Sequence, residues 1–180
     1  MKILAGTKKG QPFSLPSSRL VRPLSDKVRA AIFDITGPVE GFIILDAYAG
    51  SGAAGFEALS RGAKLAEAVE SNTRVASLIS ENAKRLGFDW EYILYQMTVA
   101  TWLASPTQYP ASPRYDLIIA DPPYAKLEED ILEGLAKYLM PEGILAVSHS
   151  SRLASPMLKS VELVRHKDYG DTALSFYKPA

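Results

Sequence analysis

Apolar and polar positions along this chain alternate between two periods. Phe42-Ile43-Ile44-Leu45 is a continuous apolar run, as is Leu117-Ile118-Ile119-Ala120. Runs of this kind, bounded by turn residues, predict strands buried on both faces. Between them lie segments with the spacing of helices. A helix is predicted to begin at Ser25, with Val28, Ala31, Ile32 and Ile35 on one face, and to stop at Gly37-Pro38. Ala53–Arg61 is a second, closed by Gly62. Asn72–Leu86 is a third, with Val75, Ala76, Leu78, Ile79, Ala83 and Leu86 on one side and Gly87 behind it. Strands are predicted over Leu65–Val69, Tyr92–Tyr95, Tyr115–Ala120 and Ile144–Val147. A short helix runs through Trp102-Leu103, a longer one over Glu128–Leu139, and a helical piece around Leu153–Leu158. Val161–Arg165 and Ala173–Tyr177 close the chain as a hairpin across Asp168–Asp171. Strands alternating with amphipathic helices give an α/β fold, a mainly parallel sheet with helices on both faces.

Residues 1–24 break this rhythm. They hold Gly6, Gly10, Pro12, Pro16 and Pro23 among short extended pieces, which suits an arm or hairpin ahead of a domain spanning 25–180. Charge marks the same division. The whole chain has 20 basic and 20 acidic side chains and a net charge of zero. Residues 1–30 carry seven basic residues against Asp26 alone, a balance of +6, and the remainder is correspondingly −6. A basic arm on an acidic body is a means of meeting a polyanion, although it is also the composition of a solvated terminus.

The 180 residues fit one domain with a full core. No cysteine is present, which excludes disulfides, thiolate metal sites and thiol catalysis and points to a cytoplasmic setting. No apolar run approaches membrane-spanning length. His149 and His166 stand apart in sequence without a ligand cluster, so no metal is expected. Trp90 and Trp102 read as packing residues, and Glu128-Glu129-Asp130 as charges complementing a helix dipole.

Candidate chemistry gathers after two strands. Gly50, Gly52 and Gly55 match G-x-G-x-x-G, with Glu70 twenty residues past the first, as in a dinucleotide site. Asp46, at the end of the preceding strand, favours a different ligand. Its carboxylate would repel a pyrophosphate but suits a cationic amine. S-adenosylmethionine (SAM) carries an amine and a sulfonium and no phosphate, and Glu70 could accept its ribose hydroxyls. Asp46 could equally cap the following helix. The second site is Asp121-Pro122-Pro123-Tyr124 after Tyr115–Ala120. Two prolines end the strand, fix an extended backbone and offer carbonyl acceptors without competing donors. Asp121 and the Pro122 carbonyl would accept from an exocyclic amine of a nucleobase, and Tyr124 would stack on the base. Methyl transfer then needs positioning rather than a nucleophile or metal.

Asp46–Gly52 together with Asp121–Tyr124 resembles the SAM-dependent methyltransferases that act on amino groups of nucleic-acid bases. Met1–Gly6, Arg22–Arg29, Ile32–Ile35 and the ending Tyr169–Thr172 with Leu174–Tyr177 are similar to the RsmD family, bacterial 16S ribosomal RNA guanine-N2 methyltransferases. The resemblance spans the chain. It implies a Rossmann-like, seven-stranded sheet with an N-terminal extension that helps to dock RNA, acting on 16S rRNA or a small-subunit assembly particle; a monomer is expected. Asp46, Tyr48, Gly50, Ser51, Gly52, Glu70, Ser71 and Thr98 would form the cofactor site. Asp121, Pro122 and Tyr124 would hold the guanine amine. Arg22, Lys27 and Arg29 would contact RNA phosphates or order the arm, with Lys8 and Lys9 as further phosphate contacts. Three positions depart from the family pattern: Thr98 replaces an Asp or Asn near the adenine, Ser148-His149 replaces Glu-His, and Tyr48 replaces a phenylalanine. Adenine-N6 methylation of DNA or RNA, NAD-dependent oxidation and an inactive RNA-binding assembly factor remain as alternatives.

Overall fold

The computed structural model describes residues 1–17, 23–105, 115–123 and 127–180. Seven strands form one sheet in the order β3-β2-β1-β4-β5-β7-β6. The strands are β1 (Ile43–Asp46), β2 (Leu65–Val69), β3 (Tyr92–Tyr95), β4 (Tyr115–Ala120), β5 (Leu139–Ser150), β6 (Val161–Tyr169) and β7 (Thr172–Pro179). The first five run parallel, and β7 is antiparallel to both of its neighbours, β5 and β6. Helix α1 (Asp26–Thr36) precedes the sheet, and α2 (Ala53–Ser60), α3 (Thr73–Leu86), α4 (Val99–Ala104) and α5 (Glu129–Ala136) make the crossovers.

Local chemistry explains the boundaries. The Ser25 hydroxyl accepts from the Val28 N–H, 3.2 Å away, and starts α1. Asn72 does the same for α3 through Arg74 and Val75, and Gly87, with φ 73°, closes that helix. Two apolar layers sandwich the sheet. One joins α1, α2 and α3 through Ile32, Phe33, Phe56 and Ile79; the other lies under α4 and α5 and contains Trp102, Tyr115, Leu132 and Leu135.

Residues 1–14 fold back on themselves through an antiparallel Lys2–Pro12 bridge and pack on the helices. Ile3 and Phe13 are buried in the first apolar layer, where the Phe13 ring meets Phe56 edge-on with centroids 5.4 Å apart. Glu57 on α2, itself wholly buried, accepts from the N–H groups of Leu4 (2.8 Å) and Ala5 (3.0 Å). The Asn82 amide exchanges two hydrogen bonds with the Ser14 backbone. Residues 1–14 are therefore a built part of the α/β domain.

Two expectations are corrected. The Leu153–Leu158 stretch is not helical. Pro156 interrupts it, and the backbone N–H groups of Met157, Lys159 and Ser160 are taken by the Glu129 and Glu133 carboxylates of α5. Trp90 is exposed (90%), whereas Trp102 packs on Tyr138. The two histidines, remote in sequence, face each other from β5 and β6 with ring centroids 5.9 Å apart. The Ser175 hydroxyl lies between them, 2.8 Å from His149 Nε2 and 3.2 Å from His166 Nδ1.

Candidate active site

The strand order reverses between β1 and β4, and in parallel α/β sheets a crevice opens beyond the carboxyl ends of the strands at such a point. Here a cleft of about 890 Å³ lies there. The loop after β1 contributes Asp46 and Tyr48–Ser51, the loop after β2 contributes Glu70–Asn72, and the end of β4 contributes Asp121–Pro123. Sequence reasoning anticipated these three loops. Tyr124 and Arg22 lie outside the described residues.

The glycine loop is shaped by its residues. Gly52 takes the left-handed conformation (φ 76°) that turns the chain into α2. Gly55 has no room for a side chain, since a Cβ would sit 2.6 Å from the Tyr92 ring, and this lets α2 press on the sheet. Glu70 holds the loop in place. Its carboxylate accepts from Gly50 N–H at 3.0 Å and from Asn72 N–H at 2.7 Å. The Gly50 donor, which a dinucleotide fold would aim at pyrophosphate, is thus directed to an anion the protein supplies.

Asp46 is buried, and its carboxylate accepts from the Gly55 backbone N–H in the first turn of α2. The N-cap of α2 is Gly52, without a side-chain capping hydrogen bond, so Asp46 does not take the cap position weighed from the sequence. Among the described residues, its buried Oδ2 has no hydrogen-bond partner. Burial pushes its pKa up from 3.8 to about 7; the Gly55 hydrogen bond opposes the rise, and the charges of Asp121 and Glu70 add to it. A buried acceptor short of a donor, with two more carboxylates nearby, fits an ammonium and a sulfonium and disfavours a pyrophosphate. This is the physical case for SAM over NAD.

The Thr98 hydroxyl lines the cleft but is engaged in starting α4, accepting from Thr101 N–H at 3.1 Å and pairing with the Thr101 hydroxyl at 2.8 Å. Tyr48 is half-buried on the cleft wall, and burial, then the Glu128 charge, raises its pKa to about 12. It stays a neutral phenol throughout the physiological range. Glu128, the N-cap residue of α5, also lines the cleft, and Glu129 and Asp130 stand in the first turn of the helix as expected. Sequence reasoning also missed Pro23, Leu24, Ser25 and Val28 at the start of α1, and Thr172 from the β6–β7 turn, all of which line the cleft. The signal was available, because both segments carry the motifs quoted above.

Arg29 is not at the surface. Its guanidinium is fully buried, 2.8 Å from the Lys2 carbonyl, 3.1 Å from Asp26 and 3.6 Å from Glu57. Burial pulls its pKa down while the Glu57 and Asp26 charges oppose the shift. It orders the arm from inside. Lys8 and Lys9 are also remote from the cleft. The Lys8 backbone N–H donates to the Ser60 hydroxyl at the far end of α2, and its ammonium lies 5.9 Å from the Phe88 ring beyond α3. Lys27 is exposed at the cleft end of α1.

Known proteins share this architecture. The family model described as Conserved hypothetical protein 95 matches residues 1–178. "Ribosomal RNA small subunit methyltransferase D" of Haemophilus influenzae is 27% identical over 99% of this chain and 93% of its own length. The protein of the same name from Escherichia coli K12 is 28% identical, over 99% and 89%. The solved Escherichia coli structure named "Putative methyltransferase yhhF" superposes with a TM-score of 0.87 at 26% identity, covering 99% of this chain and 97% of that one.

Proposed function

From the premise that the chain belongs to the Conserved hypothetical protein 95 family, which is the RsmD family, we propose that it methylates the exocyclic N2 amine of a guanine in 16S ribosomal RNA. The chain is a SAM-dependent methyltransferase, and the guanine-N2 position is the finer part of the proposal. The observation that carries it is the pairing of two acceptors across one cleft: the donor-starved Asp46 Oδ2 on β1 and the Asp121-Pro122 acceptors on β4.

When bound, SAM supplies an electrophilic methyl group on its sulfonium. Asp46 receives the cofactor's ammonium, and the Glu70 carboxylate, already fixed by Gly50 and Asn72, offers its remaining lone pairs to ribose hydroxyls. Ser51 and Ser71 line the same side. Asp121 and the Pro122 carbonyl accept the two amine hydrogens and thereby turn the nitrogen lone pair toward the methyl-donor side of the cleft. Pro122 is buried, so its carbonyl is held rigidly for this task. Tyr124 is assigned the stacking role. The substrate particle is 16S rRNA or a small-subunit assembly intermediate, and Lys27 is the phosphate contact retained from the sequence reading.

The test is incubation of the folded protein with methyl-labelled SAM and undermodified 16S RNA or 30S subunits, followed by nucleoside analysis. Labelled N2-methylguanosine is expected. Asp121→Ala should lose transfer and keep SAM binding. Label appearing only in N6-methyladenosine, or none with SAM demonstrably bound, would overturn the assignment.

A further inference from the structure

The fold separates the basic residues that a polyanion could meet. Lys8 and Lys9 belong to the end of the sheet away from the cleft. At the cleft end, the Lys27 ammonium lies 5.8 Å from the Tyr169 ring centroid and the Lys167 ammonium 5.6 Å from it. Lys27 stands in the first turn of α1, directly after the Pro23–Ser25 stretch that lines the cleft. Tyr169 ends β6, three residues before Thr172, which also lines it. Because β6 is parallel to β1, its carboxyl end and the β6–β7 turn rise at the same rim as the catalytic loops.

Strand register extends this cluster into a row. Arg165, Lys167 and Tyr169 pair with Phe176, Leu174 and Thr172. Phe176 and Leu174 are part of the apolar layer under α1, so all three β6 side chains stand on the α1 face. Alternate residues of a strand are roughly 7 Å apart. The row thus runs about 13 Å toward the cleft and ends in an aromatic ring with Lys27 across from it. Arg165 and Lys167 are exposed and Tyr169 is half-buried. Among the described residues, none of Lys27, Arg165 and Lys167 is in a salt bridge. Near the cleft end of the row the acids are directed elsewhere, Asp26 to Arg29, Asp168 to His166 on the opposite face and Asp171 toward Arg152, while Glu162 lies at the far end of β6 opposite Lys178. Ammonium–ring separations this near the outer limit of about 6 Å hold a lysine loosely, leaving it hydrated and able to turn to a phosphate.

We infer that Arg165, Lys167, Tyr169 and Lys27 form the docking strip for the RNA strand that enters the cleft, with cations on its phosphates and the Tyr169 ring against an unpaired base. The strip rests on the RNA reading above and moves the binding surface from the arm to the C-terminal hairpin. A single strand is the matching partner, because aromatic stacking needs a base released from its helix.

The test is a titration of in-vitro-transcribed 16S RNA, followed by fluorescence anisotropy between 50 and 200 mM salt. A Lys27→Gln/Lys167→Gln double variant should weaken binding and flatten the log–log salt slope by about 1.4, two single-strand phosphate contacts at ~0.7 each. A Lys8→Gln/Lys9→Gln variant should keep the wild-type slope, and SAM affinity should hold in both. Tyr169→Leu should weaken binding about 5- to 150-fold without altering the slope, the loss of one stacked base. Tyr169→Phe should restore it. An RNA-binding wild type whose slope survives Lys27→Gln/Lys167→Gln overturns the strip and leaves the methyltransferase reading standing. Equal slope losses in the two double variants also overturn it. A wild type that binds no RNA overturns both.

Discussion

Asp46→Asn should stabilise the cofactor-free protein while destroying its cofactor site. The carboxylate is held at a pKa of about 7 against an ordinary 3.8, chiefly because it is buried. Each pKa unit corresponds to about 1.36 kcal/mol, so carrying the charge in the fold above pH 7 costs on the order of 4 kcal/mol. Asparagine keeps the shape and the acceptor for Gly55 N–H and removes the charge. Its amide nitrogen then needs a partner of its own, which returns part of the gain, so about 2 kcal/mol is expected at pH 8.5. For a chain of this size that is a rise of roughly 4–8 °C in melting temperature. The pH dependence identifies the cause. A folded pKa above the unfolded one means that, between about pH 4 and 7, the native state holds a proton that the unfolded state has shed. Wild-type stability from this group therefore falls as pH rises through that window and is level above it. At pH 5 the side chain is protonated in the fold, and the advantage of Asp46→Asn should shrink toward zero. Urea denaturation at pH 5, 6, 7 and 8.5, with SAM titrations alongside, measures both sides. SAM binding should weaken by about 30-fold or more, as for removal of one partner of a buried charge pair. A stabilisation equal at pH 5 and pH 8.5, or a loss of stability at pH 8.5, would refute the reasoning.

Wild-type SAM affinity should fall about tenfold per pH unit below pH 7 as Asp46 takes up a proton, with proton release on binding visible as buffer-dependent heats in calorimetry. Glu57→Gln should cost about 3 kcal/mol in denaturant unfolding, because it removes the buried one of the two carboxylates beside the Arg29 guanidinium and leaves the partly exposed Asp26. Gly55→Ala forces a methyl group against Tyr92; it should cost about 1–3 kcal/mol and weaken SAM binding through the displaced Asp46 contact, read by thermal shift with and without cofactor.

What was legible from the sequence was local. Leu65–Val69, Tyr92–Tyr95 and Tyr115–Ala120 match the observed strands end to end, because an apolar run between turn residues has one way to be buried. Asn72 and Gly87 bracket α3 for the same local reason, their side-chain and backbone chemistry acting within a few residues. That the loops after β1, β2 and β4 would share one cleft was legible, since strand-end motifs report where a parallel sheet opens. What escaped reading depends on partners far along the chain. Arg29 looks like a surface cation until Glu57, 28 residues on, is folded beneath it. The arm looks solvated until Phe13 meets Phe56 and Ser14 meets Asn82. Leu153–Leu158 has apolar residues at helical intervals, but its N–H groups have carboxylate acceptors on α5 that no periodicity reveals. Lys167 was unremarkable, and Tyr169 no more than part of a resembling ending, until the hairpin register carried them toward the cleft rim.

The docking of residues 1–14 also sets an order on synthesis. Their partners are separated from them by 52 to 68 residues, at Glu57, Ser60 and Asn82. At ribosomal speeds of about 5–20 residues per second, Ile3 and Phe13 wait some 3–14 seconds for the surfaces that bury them. During that interval the segment is apolar, basic and unfolded. Closing its long loop is a late, slow step, since the entropy of distant contacts is lost before they reward the chain. Nascent chains halted before Asn82 should be the ones that chaperones and proteases find.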